Sequence, residues 1–304
     1  MATSLGESSQ SLPGSACKNA TDGPRDTDAS CAGPARVRGP LGRPLGTETG
    51  RLLPSRELAS VVEHYWWVRW DLPVPTSTEV LTYPSVHVVF EGEEARIFGV
   101  VRAKFTRQLA GRGEVFGIKF HPGTFRSFYG RPIIELTDRS LPLGDELGTP
   151  VFQLIRELGA LPTPLERACA VEARLRSALP ELDHDAALAK DLVERVRTDA
   201  NLRSVDALSE ACGLPPRELQ RLFREYVGVG PKWIVCRFRL QEAAELLETT
   251  TETVASVAAS LGYFDQAHFA RDFKSVVGVA PSEYVARLRR ALPTGTHRPR
   301  RRST

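Results

Sequence analysis

In the last third of this 304-residue chain one short pattern occurs twice. Ser204-Val205-Asp206-Ala207-Leu208-Ser209-Glu210-Ala211-Cys212-Gly213 is matched by Thr253-Val254-Ala255-Ser256-Val257-Ala258-Ala259-Ser260-Leu261-Gly262, at an offset of 49 residues. Each copy starts on a hydroxyl residue suited to cap a helix, carries apolar residues at i, i+3 and i+7, and ends on glycine, which takes a positive φ without a Cβ penalty. The small residue at i+4, Ser209 or Ala258, leaves room for a second helix. Beyond the glycines, Leu219, Arg221, Phe223 and Gly228 are matched by Phe269, Arg271, Phe273 and Gly278 at an offset of 50, so the second turn is one residue longer. Both copies then run into Val-Gly-Val-x-Pro, ending at Pro231 and Pro281. A short helix, a glycine turn and a second helix with one apolar and one polar face make a helix-turn-helix. Between the two copies, Lys232 to Leu247 has neither Pro nor Gly and reads as a single linker helix with Ile234, Phe238 and Ala244 among its apolar positions. It spans roughly 25 Å at about 1.5 Å per residue. That is a spacer able to set two recognition helices near one turn of duplex DNA, roughly 34 Å, apart.

The rest of the chain is organised differently. Residues 1–50 hold eight Gly, five Pro and six Ser and no aromatic residue, too little apolar area to offset the entropy of ordering, and read as a disordered arm. A folded, β-rich, sensor-like domain is expected over 51–150, opening with Tyr65-Trp66-Trp67-Val68-Arg69-Trp70. Its short runs Val80 to Tyr83, Val86 to Phe90, Ala95 to Val101 and Val115 to Phe120 predict strands of a small, mostly antiparallel sheet or barrel. His121-Pro122-Gly123 reads as a turn, and Thr124 to Tyr129 as a short helical piece. Residues 151–190 switch to helical spacing, with Val151, Leu154, Ile155 and Leu158 on one face, and form a helical connector. The repeat belongs to a domain over 191–290, and 291–304 is a basic tail. The predicted fold class is therefore an α+β N-terminal domain with a small sheet or barrel, followed by an all-α C-terminal domain with two helix-turn-helix motifs joined by a linker helix.

Charge matters by position. The net charge of +3 is small, but residues 191–304 carry 18 basic groups against 14 acidic ones, and Arg287 to Arg302 has seven arginines and no acid. That run reads as a solvated tail able to add nonspecific phosphate affinity. Five scattered cysteines with no Cys-x-x-Cys pair give neither a disulfide framework nor a thiolate zinc site. With no secretory signal and no apolar run long enough for a membrane span, a cytoplasmic protein with no membrane association is expected.

Several linked motifs over about 100 residues, from Asp191 to Arg290, resemble the DNA-binding domain of the AraC/XylS family. They are Leu219-Gln220-Arg221-Leu222-Phe223, Arg237-Phe238-Arg239-Leu240-Gln241-Glu242-Ala243, Gly262-Tyr263-Phe264-Asp265, Phe269-Ala270-Arg271-Asp272-Phe273-Lys274 and Gly278-Val279-Ala280-Pro281-Ser282-Glu283-Tyr284. Phe116 to Gly123 and Glu135 to Leu143 resemble sensor-type domains of actinobacterial members. The resemblance implies a transcription regulator, most often an activator that contacts RNA polymerase. Its N-terminal domain would serve effector sensing or dimerisation, which leaves open a small-molecule effector and a homodimer. Helices 216–226 and 265–277 would then enter successive major grooves of double-stranded DNA.

On the first recognition helix Arg217, Gln220 and Arg221 project at i, i+3 and i+4, away from Leu219 and Phe223. Arg can grip guanine and Gln adenine in bidentate fashion. On the second, Gln266, His268 and Arg271 face outward, with Asp265 as N-cap. Arg224 and Lys274, further along the helices, suit phosphate. The plain alternative for all eight is a solvated polar face. His64, His87 and His121 lie in or beside predicted strands and could meet at a metal, but isolated histidines at such spacing are more often ordinary core or surface residues. Trp66, Trp67 and Trp70 could line an effector pocket, although such a cluster usually packs. Cys169, Cys212 and Cys236 read as small core residues. No catalytic constellation, metal site or cofactor motif is present in the sequence, and the expectation is a non-enzyme. Two alternatives remain, a bifunctional DNA-repair alkyltransferase and a ligand-binding module with a degenerate DNA-binding unit. The cysteine cluster that the first needs is absent from 51–190, and the intact spacing in both repeat copies counts against the second.

Overall fold

A computed structural model describes residues 46–144, 161–177 and 179–291. The arm up to residue 45, the helical spacing from Val151 to Leu158 and the tail beyond residue 291 lie outside the described residues.

The N-terminal part is a six-stranded antiparallel sheet in the order β1-β2-β5-β3-β4-β6. Its strands are β1 Thr47–Leu52, β2 Val62–Val80, β3 His87–Glu91, β4 Glu94–Phe98, β5 Phe105–Phe120 and β6 Ser140–Pro142. β1 begins inside the stretch read as an arm. It has no aromatic of its own, and Gly50 lets the Trp67 ring lie on its backbone, where a Cβ would stand 1.8 Å from the indole. The largest departure from the sequence pattern is β2, 19 residues long and paired along most of its length with β5. Pro73 and Pro75 argue against a strand, but pairing jumps from Leu72↔Gly111 to Thr76↔Leu109, so both prolines sit in a bulge where no ladder donor is needed. Leu81 to Tyr83, expected to extend a strand, instead leaves the sheet.

Alternation sorts the two faces. Tyr65, Phe90, Ile97, Phe116, Ile118 and Phe120 point into the main core, which is closed by α1 Arg126–Tyr129 and α2 Pro164–Ser177 through Phe128, Val171 and Leu175. The other face carries a smaller cluster around Trp70, Val89 and Val115, with Trp66 packed against it. Here too indoles lie over glycines, Trp66 on Gly117 and Trp70 on Gly113. The tryptophans of the opening aromatic run are packing residues.

The C-terminal part is helical: α3 His184–Thr198, α4 Val205–Cys212, α5 Pro216–Leu222, α6 Pro231–Thr249, α7 Val254–Ser260, α8 Gln266–Val277 and α9 Pro281–Ala291. The fold class matches the expectation, a sheet domain followed by two helix-turn-helix units, α4/α5 and α7/α8, joined by the linker helix α6. The caps sit where the repeat places them. Ser204 accepts from the Ala207 N–H at 3.0 Å, Thr253 from the Ser256 N–H at 3.1 Å and Asp265 from the His268 N–H at 2.6 Å. Gly213 and Gly262 take φ of 68° and 74°. The boundary expected at residue 191 falls inside α3, whose Ala186 and Ala189 belong to the core of the first unit.

Two apolar cores fill the two units, and the sheet domain contributes to both. Val100 is fully buried in the first, with Leu208, Leu219, Phe223 and Ile234. Leu81 lies in the second, with Leu240, Val257, Phe269 and Phe273. No helix among the described residues is long and apolar enough to cross a membrane.

Candidate nucleic-acid interface

Each recognition helix is held by its apolar face. In α5 Leu219 and Leu222 are buried, leaving Arg217, Gln220 and Arg221 exposed on the other side. Pro216 at the first helical position suits a start that needs no N–H donor. After Leu222 the helix does not stop but widens to π pitch over Phe223–Val227, closed by the Gly228 N–H donating to the Phe223 carbonyl at 2.9 Å. The widening buries Phe223, Tyr226 and Val227 together. Arg224 stays exposed. In α8 Phe269, Phe273 and Val277 are buried, while Gln266, His268, Arg271 and Lys274 are exposed.

The eight expected residues are not equally available. Arg221 pairs with Glu225 one turn on, at 3.5 Å. His268 is engaged within its own unit, its Nε2 3.3 Å from Asp272 and its ring edge-on to Tyr263 at 5.4 Å. Arg217, Arg271 and Lys274 make no ion pair among the described residues.

Sequence reasoning missed the seam between the sheet domain and the first unit. Arg126 donates to Glu225 at 2.6 Å and stacks on Tyr226 at 4.7 Å, so Glu225 stands between a sheet-domain arginine and Arg221. The Thr137 hydroxyl donates to the Gly228 carbonyl at 2.5 Å. Gly228, at φ 93°, comes so near the 3-10 turn Ile133–Leu136 that a Cβ would meet Ile133 at 2.9 Å. Pro132 and Ile134 of the same segment form one wall of a groove of about 350 Å³ whose other wall includes Arg217, Gln220 and Arg221. The glycine is visible in the sequence, but the partner it admits lies 91 residues away.

A second contact runs through the linker helix. Arg237 is 1% exposed, stacks on Trp233 at 4.6 Å and donates through Nη2 to the Arg102 carbonyl at 2.6 Å. Among the described residues its Nε and Nη1 have no hydrogen-bond partner, and burial lowers its pKa to about 10. Arg203 ties the two units together by donating to the Ser260 carbonyl and pairing with Glu242.

The helix-turn-helix units agree with the family comparison. Residues 208–287 match a helix-turn-helix domain family, and residues 50–142 match a domain of unknown function, DUF6597. The C-terminal region is a helix-turn-helix domain of the AraC type. Over 117 residues the chain is 32% identical to the arabinose operon regulatory protein of Escherichia coli strain K12, covering 38% of this chain and 39% of that one. It is 35% identical over 81 residues to the transcriptional regulator MtrA of Neisseria gonorrhoeae, 27% of each chain. It is 36% identical over 84 residues to the transcriptional activator AarP of Providencia stuartii, 28% of this chain and 62% of that one. The chain thus spans less than two thirds of each of these relatives, and the likeness lies in the helix-turn-helix domain.

The histidines and cysteines resolve differently. His64 and His87 flank Lys119 on the second face of the sheet, where each is its register partner, and among the described residues no group of three His, Cys, Asp or Glu could hold a metal. Glu63, at a bulge in β2, accepts from the Lys119 ammonium at 2.9 Å. Burial opposes its charge, but bonds from His64 and Lys119 win and hold the carboxyl well below its usual range. Burial also lowers the pKa of His64, and that of His87 to about 3. Cys212 and Cys236 are partly buried as small packing residues, but Cys169 is exposed, because it falls on the outer side of α2 next to the buried Ala168 and Val171.

Proposed function

We propose that this protein is a sequence-specific DNA-binding transcription regulator, an activator and not an enzyme, that reads two successive major grooves with α5 and α8. The observation that carries the reading is the pairing of two exposed polar helix faces, each mounted on its own buried core and both fixed to one linker helix. Arg217, Gln220, Arg221, Gln266, His268 and Arg271 are assigned to base edges, and Arg224 and Lys274 to phosphate. Asp272 and Tyr263 hold His268, so it ranks below Gln266 and Arg271 as a reader. The sheet domain serves effector sensing or dimerisation, supported by the way its loops enter both helix-turn-helix cores, and activation proceeds by contact with RNA polymerase in the cytoplasm.

Selection of bound duplexes from a random pool, followed by binding to the enriched sequence over a salt series, tests the reading. An enriched bipartite site with half-sites about one helical turn apart is expected. Binding to every duplex alike would refute it.

A further inference from the structure

Phe264 is 100% exposed, in a turn where its neighbours on both sides are fixed. It is the added residue that lengthens the second turn: the N-cap follows Gly213 by two positions in the first copy, at Pro215, and Gly262 by three in the second, at Asp265. Tyr263 before it is buried, packs edge-on to Phe269 at 5.1 Å and carries the Arg239 guanidinium 4.0 Å over its ring. Asp265 after it is committed to the His268 N–H. The turn is anchored, and it holds one aromatic ring out into water at the leading end of the second recognition helix. A flexible surface loop would let such a ring fold back onto the protein, but here the two anchors leave it exposed.

The surroundings narrow what the ring meets. Gln266, Ala267 and His268 follow it in an unbroken exposed run, and His268 is occupied by Asp272 and Tyr263. What this end offers is an aromatic ring, a methyl group and one amide, with Arg271 exposed one turn on for a base edge and Lys274 beyond it for phosphate. The first unit, by contrast, offers two arginines and a glutamine. In the major groove the apolar feature of a base edge is the thymine C5-methyl, and the amide of Gln complements adenine. We infer that Phe264, with Ala267, reads thymine methyl groups, so that the part of the half-site under the leading end of α8 is built of A·T pairs recognised by apolar contact beside Gln266. This rests on the DNA-reading function proposed above and adds to it the chemistry of the second half-site.

Replacing thymine by deoxyuridine, one position at a time, in the selected duplex removes the methyl and leaves the hydrogen-bonding edge intact. The full chain is expected to lose affinity about fourfold at one or two thymines of the α8 half-site, which is the worth of one buried methyl. Phe264→Ala should bind the thymine and deoxyuridine duplexes alike at those positions, and Phe264→Leu should keep part of the preference. Because the ring is fully exposed, both variants should melt with the wild type. Indifference of the wild type to every replacement overturns the inference while leaving sequence-specific binding intact. So does an undiminished thymine preference in Phe264→Ala, and so does unchanged affinity of that variant for all duplexes, the behaviour of a ring that serves a protein partner. Failure to enrich any sequence would overturn the DNA-reading function itself, and this inference with it.

Discussion

At the scale of single residues, the two arginines of α5 share a helix but not a situation. Arg217 is unpaired among the described residues, whereas Arg221 shares Glu225 with Arg126. Arg217→Ala should therefore cost about 1–3 kcal/mol of specific binding and relax the preference at one base pair. Arg221→Ala should lie at the lower end of that range, because its guanidinium must leave Glu225 to reach a base. Titration against the selected duplex and against single-base variants measures both. His87 makes a different prediction. Burial is the largest penalty on a second proton, and Lys119 on the adjoining strand adds to it, while Trp66 Nε1–H donates to the Nδ1 at 3.2 Å. Its folded pKa of about 3 lies below the ordinary 6.5, so the unfolded chain binds the proton first and stability is lost as pH falls below about 6.5. His64 and His121, both lowered by burial, act in the same sense, and Glu63 joins only below about 4.5, where unfolded carboxylates protonate. Melting temperature should therefore fall between pH 6.5 and 4.5, and His87→Gln, which cannot be protonated, should flatten that slope.

At the scale of elements, the repeat made the C-terminal half legible because its signals are local. A cap, a stripe at 3.6 spacing and a closing glycine act within ten residues of one another, and Ser204, Gly213, Thr253 and Asp265 take the roles their types suit. The sheet was legible only in part. β3 and the end of β5 show alternation, but β2 hides two prolines in a bulge that only pairing with β5 explains, and β1 forms because an indole covers its glycine. The candidate site divides the same way: the exposed polar residues of α5 and α8 follow from helix periodicity, whereas Glu225 between Arg126 and Arg221 depends on a contact across 99 residues. α3 is the element whose membership sequence spacing alone misjudged. Cutting at residue 191 would discard the Asp183 cap and the buried Ala186 and Ala189. A fragment of residues 180–291 should accordingly melt as a cooperative unit and bind DNA. One of residues 191–290, whose helix lacks its first two turns, should be several kcal/mol less stable, of the order expected for a broken core. Circular dichroism melts of the two fragments distinguish these outcomes.

At the scale of the whole molecule, the sheet domain is built into the helix-turn-helix part. Val100 completes one core, Leu81 the other, and between them Arg237 of α6 reaches the Arg102 carbonyl. The apolar insertions favour the joined state, while Arg237 opposes it, since a guanidinium that is 1% exposed with two unpartnered nitrogens forfeits hydration that one carbonyl and one indole replace incompletely. The balance predicts opposite responses to two substitutions at the same seam. Arg237→Met keeps the volume and removes the charge, and should leave stability unchanged or raise it by about 1–2 kcal/mol. Val100→Asp puts a carboxylate where a fully buried isopropyl side chain stood, and should undock the sheet domain from the first unit. In calorimetry the wild type and Arg237→Met should each unfold in one transition, with Arg237→Met at the same or a higher temperature, and Val100→Asp should split into two. If the sheet domain restrains the setting of α5 and α8 through α6, the undocked variant will also bind the selected duplex with altered affinity while keeping its base preferences, because no reader has been touched. A single unchanged transition in Val100→Asp would mean that Val100 does not hold the two parts together and that other contacts couple them.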